Sequence, residues 1–364
     1  MWAMILKEFR QLRRDRRTLA MMIVMPVLLL VVFGYAASFD VSSIPTAAAG
    51  PQAAALVSRL GKPFELAVSE PSEGRDWAQT QLRDGKEPAA VVTSAGGRPE
   101  VLLDGSQLFT AKAALAALSA AQGKAAAAGA ARPGGGTQAP GGSGQQAPAA
   151  TVTVLYNPGL TTSDIMIPGL AGVVLVFIGT IITSLGVVRE RQTGTLEQLA
   201  VMPLRPRDVF LGKIVPYFAV AALDLAIVLA VGVALFGVPF RGSYAVFTLG
   251  AVLFLFVTLG LGVLISSVSE NQGQAIQLSV MVMLPQVLLS GLIFPLSSIA
   301  AGVRWISYIL PLTYFNDISR GVMLRAEPLG PLWAPMVILA GLGLAVVTLA
   351  TLRFRSYLAP ASSK

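Results

Sequence analysis

Long apolar runs alternate with polar segments along this chain, and six of the runs are long enough to cross a lipid bilayer. The runs cover residues 18–37, 163–188, 209–238, 244–268, 275–296 and 331–352. About 20 residues of α-helix cross a hydrocarbon core about 30 Å thick, and a helix satisfies its own backbone hydrogen bonds there. The pattern therefore predicts a polytopic α-helical membrane protein with six transmembrane helices.

The polar segment over residues 38–162 is too long to be a simple loop between the first two runs. Its apolar positions predict helices at 51–60, 75–83 and 108–121 and strands at 64–68, 89–92, 101–103 and 151–156. We therefore expect an inserted α+β extracytoplasmic domain. Within it, residues 122–150 are almost entirely Ala, Gly, Pro, Gln and Ser, a composition that predicts disorder because it buries too little surface.

Three further segments are predicted to lie at the membrane surface. Residues 1–17 have apolar side chains at helical spacing and basic ones on another face, which predicts an amphipathic interfacial helix. The alternative is the basic start of a signal sequence, but residues 18–37 exceed the usual apolar core of about 7 to 15 residues. Residues 297–330 predict re-entrant or interfacial helices on the outer side, and residues 353–364 a cytoplasmic tail.

Basic residues are unevenly distributed between the predicted loops. Six Lys or Arg precede residue 18, five lie between residues 189 and 213, and three follow residue 352. Only Arg241, Arg304, Arg320 and Arg325 fall in the two shorter loops on the other side. Because short Lys/Arg-rich loops stay in the cytoplasm, we expect both termini to be cytoplasmic in a bacterial inner membrane. The formal net charge of +8 then reflects this bias and not binding to nucleic acid.

The segment over residues 189–208 predicts a short helix between the second and third runs. Thr195 can cap its first turn, with Gln198 three residues later, and Pro203 ends it. Gly194 lets the backbone turn out of the preceding span. A short capped helix with acidic residues near its start suits docking against another protein, whereas the alternative is a solvated loop with no partner.

The stretch ERQTGTLEQLAVMPLRPRDVFLGKIVPY, residues 190–217, resembles the segment between the second and third spans of ABC-2 type permeases, the membrane subunits of bacterial ABC exporters. The PLTY run at residues 311–314 resembles one that precedes the final span in that family. The resemblance implies the subfamily with a large extracytoplasmic domain between spans one and two. It also implies that residues 189–208 hold the coupling helix that contacts the ATPase subunit. The contact residues would be Glu190, Gly194, Thr195, Leu196, Glu197, Leu199 and Pro203.

The same resemblance implies a permease subunit that moves a drug, lipid, glycan or other amphipathic substrate outward. Its partners would be an ABC ATPase subunit, a second permease copy or paralogue, and the lipid bilayer. A periplasmic or envelope protein at residues 38–162 is a further candidate partner. The alternative function is a non-transporting membrane sensor or scaffold with an extracytoplasmic ligand-binding domain. A secondary transporter would instead predict an inverted repeat, which the sequence does not have.

The chain lacks residues for ATP hydrolysis or metal chemistry. It has no Cys and no His, so disulfides, thiolate ligands and the usual general base are missing. The Gly-Lys pairs at residues 61–62 and 212–213 have neither the upstream glycine nor the following Ser or Thr of a P-loop. We therefore expect no catalytic residue, cofactor or metal in this chain, with ATP and Mg²⁺ bound by the partner ATPase subunit.

Three polar features interrupt or border the apolar runs. Asp224 lies in the middle of the third run, where an ionised side chain costs about 2.5 to 3.5 kcal/mol. We expect it either to line the pathway or an inter-helix contact, or to be protonated and hydrogen-bonded to a nearby Ser or Thr. Glu270 and Asn271, in the turn after the fourth run, predict a second cytoplasmic contact. Pro, Gln, Ser and Gly within residues 285–295 predict an interrupted fifth span.

Overall fold

A computed structural model describes residues 41, 43–94, 97–130, 150–193 and 206–358. The predicted interfacial helix at 1–17, the first predicted span at 18–37 and most of the predicted coupling segment lie outside the described residues. The described chain contains a five-stranded sheet with packed helices, followed by a bundle of long helices.

The first part, which we call the sheet domain, alternates strands and helices. Its elements are β1 Ile44–Ala49, α1 Ala53–Leu60, β2 Phe64–Glu70, α2 Arg75–Arg83, β3 Ala89–Val92, β4 Glu100–Asp104, α3 Leu108–Ala130 and β5 Thr151–Leu155. The strand order is β2-β1-β3-β4-β5, with β3 and β4 antiparallel and the other neighbours parallel. The strands expected from the sequence are therefore present, and they pair into one mixed sheet.

The interior strand β1, between β2 and β3, is the strand that the hydrophobic pattern missed. Its sequence IPTAAA contains three alanines, which are depleted in strands and give little alternation. In the structure its side chains are buried on both faces: Ile44 packs on the side of α1 and α3, and Ala47 on the side of α2. Small residues fit here because helices cover both faces of the sheet.

The second part is helical from Thr162 onward. Its elements are α4 Thr162–Phe177, a π-helical turn Ile178–Ile182, α5 Thr183–Gln192, α6 Pro206–Phe236, α7 Tyr244–Val268, α8 Gln272–Leu289, a 3₁₀ turn Leu296–Ser298, α9 Ala301–Ser307, α10 Pro311–Met323 and α11 Leu329–Leu358. Among the described residues, the helices long and apolar enough to cross a membrane are Thr162–Gln192, Tyr217–Phe236, Tyr244–Val268 and Leu329–Arg353. The helical membrane architecture is thus present, whereas the number of six spans stays a prediction.

Several boundaries differ from those predicted, and the ends of α8 and α3 differ most. α8 ends at Leu289, short of the predicted limit of the fifth span at residue 296, because Gly291 has a positive φ of +80° and Pro295 follows. α3 continues to Ala130 and so enters the segment 122–150 that was expected to be disordered. That expectation was wrong for residues 122–130, where an alanine-rich run extends the helix because alanine has the highest helix propensity.

Helix α7 lies at the centre of the bundle. Its Phe254 is fully buried and stacks on Phe315 of α10 with ring centroids 4.5 Å apart. On another side, a side chain at Gly262 would overlap the main-chain oxygen of Gly179 in the π-helical turn. In membranes, close approach at small residues replaces the hydrophobic effect as the source of helix association, so these glycines fix how the helices pack.

Candidate coupling site

The end of α5 leads into the predicted coupling segment. Glu190 lies in its last turn, half-buried, and the Thr193 backbone N–H donates to the Arg189 carbonyl at 3.0 Å to close the helix. The remaining predicted contact residues lie outside the described part of the chain: Gly194, Thr195, Leu196, Glu197, Leu199 and Pro203. The structure therefore fixes where this segment leaves the bundle.

The turn between α7 and α8 packs against the same end of α5. A guanidinium N–H of Arg191 donates to the main-chain carbonyl of Ser269, and Gln272 Nε2 donates to Gln192 Oε1 at 2.9 Å. In this turn the Asn271 side chain caps α8 by accepting from the Gln274 backbone N–H at 2.9 Å. The two regions predicted separately from the sequence as cytoplasmic contacts thus lie side by side.

The turn has distinct exposed and structural positions. Glu270 is exposed, and its backbone N–H donates to Gln274 Oε1 at 2.9 Å. Asn271 is half-buried because its side chain is used as the helix cap. Glu270 is therefore exposed on the surface of the turn, whereas Asn271 shapes the turn by capping α8.

Deeper in the bundle, a polar contact joins α8 to the helical run Thr162–Gln192. The hydroxyls of Ser184 and Ser279 are 3.0 Å apart, and Ser279 Oγ is 3.2 Å from the carbonyl oxygen of Thr180. All three residues are buried. Thr180 belongs to the π-helical turn, a rare geometry that is frequent at functional sites. A buried polar contact therefore connects α8 to α5 and to the π-helical turn.

Asp224 lies on α6 between two buried apolar neighbours in the helix, Ala221 and Leu225. Its own side chain is half-buried, and no hydrogen bond or ion pair connects it to a described residue. The described structure therefore contains no hydrogen bond of the kind expected if a nearby Ser or Thr bound this carboxyl group. Its role as part of a pathway or of an inter-helix contact stays a prediction.

A second cluster of polar side chains lies at the opposite end of the bundle, against the sheet domain. Arg325, in the loop between α10 and α11, is 3.6 Å from the Asp104 carboxylate at the end of β4. Its other terminal nitrogen donates to Glu327 at 2.8 Å, and Ser106 Oγ accepts a further hydrogen bond at 3.2 Å. We call Arg325, Asp104 and Glu327 the junction network, because they connect the sheet domain to the helical bundle.

Burial dominates the electrostatics of the junction network. Burial raises the pKa of both Asp104 and Glu327, and the Arg325 guanidinium opposes the shift in each case. Burial alone lowers the pKa of Arg325, but the two carboxylates outweigh it, so that this pKa lies above its ordinary value. Each charge is therefore tolerated only because its partners are present.

The end of α5 together with the α7–α8 turn, which we call the coupling end, lies at one end of a helical run. The junction network lies at the other end of the same run. Ile165, near its start, packs with Leu108 of α3 and with Leu324, whereas Arg191, near its end, contacts Ser269. The run Thr162–Gln192 has 31 residues and is about 46 Å long at a rise of 1.5 Å per residue. This exceeds a hydrocarbon core of about 30 Å, so the helix can cross a bilayer between the two regions.

Comparison with known proteins decides the family. A family model described as "ABC-2 family transporter protein" matches residues 16–352. This chain belongs to the ABC-2 transporter family. The resemblance carried by residues 190–217 is thereby confirmed, and the apolar helices are those of a multi-pass membrane protein of this family.

Several relatives of this ABC-2 protein have descriptive names. The chain is 29% identical over 349 residues to "Probable multidrug ABC transporter permease YbhS" of Escherichia coli, covering 89% of this chain and 88% of YbhS. It is 36% identical over 178 residues to "Probable multidrug ABC transporter permease YbhR" of the same organism, and this match spans only about half of each chain, 49% and 48%. It is 31% identical to "ABC transporter G family member 20" of Dictyostelium discoideum over 48% of this chain and 24% of that protein.

The sequence singled out the end of α5 and the α7–α8 turn of this ABC-2 protein as cytoplasmic contacts, a role that stays a prediction, and it did not reveal the junction network. Arg325 entered only as one of the basic residues in an outer loop, and Asp104 was not singled out. The signal available was weak: Glu327 follows Arg325 by two residues in an otherwise apolar stretch. The partner across the junction is more than 200 residues away in the chain, so that only the tertiary structure identifies it.

Proposed function

We propose that this chain is the membrane permease subunit of an ATP-driven exporter that moves an amphipathic substrate outward. A separate ABC ATPase subunit would bind the surface made by residues 194–205, the end of α5 and the α7–α8 turn. The single observation that carries this proposal is that Glu190 and Glu270 lie at the same end of the bundle. ATP and Mg²⁺ would be bound by the ATPase subunit, in accord with the missing P-loop.

The packing supplies a route for the ATPase to move the membrane helices. Force on residues 194–205 acts first on α5, which contacts α8 through Ser184 and Ser279. The adjoining turn Ile178–Ile182 packs against α7, where Gly262 lies directly on Gly179. Such a mechanism requires two arrangements of these helices that differ in affinity for the ATPase states.

Charge and burial support the remaining parts of the proposal. The basic residues between 189 and 213 favour a cytoplasmic coupling end, and the length of Thr162–Gln192 supports a sheet domain on the outer side of the membrane. Only 17% of the most apolar stretch of Tyr217–Phe236 and 22% of that of Leu329–Arg353 is buried inside the protein, against 61% of that of Tyr244–Val268. These exposed apolar faces fit lipid and a second permease copy or paralogue.

The coupling proposal is tested by reversing one charge in the coupling segment. Glu197→Arg should abolish ATP-dependent transport and the effect of the permease on ATP hydrolysis in liposomes, while the protein stays folded and inserted. Glu70→Arg, at an exposed position in the sheet domain, is the matched control and should leave both unchanged. Normal coupling in Glu197→Arg would refute the proposed contact and favour a sensor or scaffold.

Sidedness is tested separately on the Cys-free chain. A cysteine introduced as Arg205→Cys should react with a membrane-impermeant maleimide only after the inner membrane is permeabilised. A cysteine introduced as Arg98→Cys, at an exposed position in the sheet domain, should react in intact spheroplasts. The reverse pattern would overturn both the orientation and the site of ATPase attachment.

A further inference from the structure

A cavity of about 610 Å³ lies between the sheet domain and the helical bundle, beside the junction network. Ser43 and Pro45 line it at the start of β1, and Pro331 and Pro335 line it at the start of α11. The start of α3 and the segment after α8, residues 290–297, form other walls. The first described residues of the chain therefore lie at the same cavity as the start of α11.

Helix α11 carries two rows of apolar or small residues, each with the alternating spacing of four and three residues by which one helix packs along another. The first row packs against α7 and consists of Leu332, Met336, Leu339, Gly343, Val346 and Ala350. The second row, which we call the open row, begins at the cavity and consists of Pro331, Pro335, Ile338, Leu342, Ala345, Leu349 and Leu352. α11 therefore has a second face with the pattern of a helix–helix contact.

The open row is exposed over most of its length. Ile338, Leu349 and Leu352 are 40%, 55% and 57% exposed, and Ala345 is exposed as well. Apolar side chains tolerate contact with lipid tails, so this exposure alone does not require a protein partner. The position of the row relative to the rest of the chain decides what covers it.

The chain connection brings the predicted first span, residues 18–37, close to the open row. Six residues lead from Ala37 to Ser43, and an extended chain covers at most about 3.6 Å per residue, which gives about 22 Å in all. Packed helices lie about 8 to 10 Å apart. The end of the span must therefore lie within about two helix spacings of Ser43 at the cavity.

Among the helices that line the cavity, α11 offers the largest open apolar face. α4 reaches the cavity at Ile165, but 61% of the most apolar stretch of Thr162–Gln192 is buried, against 22% of that of Leu329–Arg353. α10 has no exposed large apolar side chain in the described structure. At 1.5 Å per residue, a helix over residues 18–37 is about 30 Å long and the open row about 33 Å. Residues 18–37 also contain no charged side chain, so they can cover the row over its whole length.

We propose that residues 18–37 form a helix that packs along the open row of α11. The two helices are antiparallel, because Ala37 must lie at the cavity, where α11 begins. This arrangement puts Leu30 at the level of Ile338, one third of the way along α11.

The proposal concerns contacts within one chain and does not depend on ATP or transport. It leaves the apolar face of α6 and another flank of α11 uncovered, where Trp333, Val337 and Leu344 are exposed. Those two surfaces remain for lipid and for a second permease copy or paralogue.

The test is disulfide crosslinking of the full chain in native membranes, which the lack of cysteine makes possible. A protease site inserted within residues 131–149 separates the first span from α11, so that after cleavage the two fragments migrate together on a non-reducing gel only if a disulfide joins them. With Ile338→Cys, cysteines introduced singly at positions 28–32 should crosslink on oxidation, most strongly near Leu30→Cys. Val337→Cys is the matched control, because it lies at the same level and is 58% exposed but belongs to the other flank. It should give about tenfold less crosslinked product, since Cα atoms more than about 7 Å apart do not form a disulfide.

A second series tests the far end of the open row and covers the case in which Ile338→Cys does not fold. Leu349→Cys should crosslink to cysteines introduced at positions 17–21. Glu100→Cys with Thr151→Cys is the positive control for oxidation and detection, because these residues are neighbours in β4 and β5 and the protease site lies between them.

Three results would overturn the proposal. The first is the absence of crosslinks in both series while the control pair forms its disulfide. The second is crosslinking of positions 28–32 to Leu170→Cys, which is 48% exposed on α4, in place of Ile338→Cys. The third is a disulfide-linked dimer formed by Ile338→Cys alone, which would assign the open row to a second copy of the chain.

Discussion

Removal of the Arg325 charge is the most informative perturbation of the junction between the sheet domain and the bundle. Arg325→Met keeps a long unbranched side chain but leaves Asp104 and Glu327 as two buried carboxylates with no counter-charge. The side chains of these three residues are only 8%, 0% and 3% exposed. The substitution therefore makes the closed junction unfavourable, and the sheet domain should separate from the helices around the cavity.

The size of the effect follows from burial. Removing one partner from a buried ion pair costs about 3 to 5 kcal/mol, because the remaining charge stays desolvated. Arg83→Met is the matched control, since Arg83 pairs with Asp84 at 3.1 Å with side-chain exposures of 44% and 11%. A solvent-exposed pair contributes only about 0 to 1 kcal/mol. At about 1.4 kcal/mol for each factor of ten, Arg325→Met should raise the opening equilibrium about a hundredfold or more.

The absence of cysteine makes this opening measurable by thiol labelling. Thr110 lines the cavity and is 4% exposed, so a cysteine introduced as Thr110→Cys reacts with a maleimide only when the junction opens. Labelling should be about a hundred times faster when Arg325→Met is added, and within about threefold of the starting rate when Arg83→Met is added. A cysteine introduced as Ser266→Cys, buried in α7, should stay protected and so distinguish local opening from unfolding.

Two results would refute this prediction. If Thr110→Cys is labelled no faster with Arg325→Met than with Arg83→Met, the junction network does not hold the two parts together. If the cysteine at position 266 becomes reactive as well, Arg325 stabilises the whole bundle and not the junction in particular. Either result would remove the basis for treating the sheet domain as docked through these charges.

Three further predictions concern coupling, packing and pH. Ser279→Ala removes the hydroxyl near Thr180 and Ser184, and should reduce permease-dependent ATP hydrolysis while leaving copurification with the ATPase unchanged; unchanged coupling would exclude this contact from the route. Gly262→Ala forces α7 away from Gly179 and should lower the thermal unfolding midpoint by the equivalent of about 1 to 3 kcal/mol, whereas Gly341→Ala, with open space around it, should not. Burial, and secondarily Asp104, raises the pKa of Tyr156 to about 12, so the unfolding free energy should fall between about pH 10 and pH 12 and should not do so in Tyr156→Phe.

The elements predicted best from the sequence are those in which a single apolar pattern continues over the whole segment. α2 at Arg75–Arg83 and α7 at Tyr244–Val268 have the bounds expected from their apolar patterns. β1 was missed because its alanines carry no alternation, although, like β3 and β4, it is buried on both faces. α8 ends early because Gly291 adopts a positive φ, which the apolar run does not reveal. Local signals thus fail where neighbouring elements, and not the segment itself, decide the conformation.

In the candidate site, too, features that depend on the local sequence were predicted, whereas contacts between distant segments were not. Glu190, Glu270 and Asn271 were predicted from local features, namely caps, turns and acidic residues beside apolar runs, and the structure adds that they lie at one end of the bundle. Asp104 and Arg325 could not be assigned in this way, since the sheet domain and the loop between α10 and α11 bring them together. A charged residue in an outer loop looks the same in the sequence whether it is solvated or buried.

The geometry has a consequence for how the two ends of the molecule influence each other. Ile165 lines the cavity near the start of the run Thr162–Gln192, and Arg191 holds the turn before α8 near its end. α8 contacts the same run in the middle through Ser279, and the segment after α8 forms the cavity wall. We therefore expect a change of arrangement at the coupling end to reach the cavity wall, and by linkage a ligand that prefers one shape of the cavity would change the affinity at the coupling end by the same factor. Addition of the ATPase with a non-hydrolysable nucleotide should accordingly change the rate at which a cysteine introduced as Thr110→Cys is labelled, and an identical rate in both states would show that the two ends are not coupled.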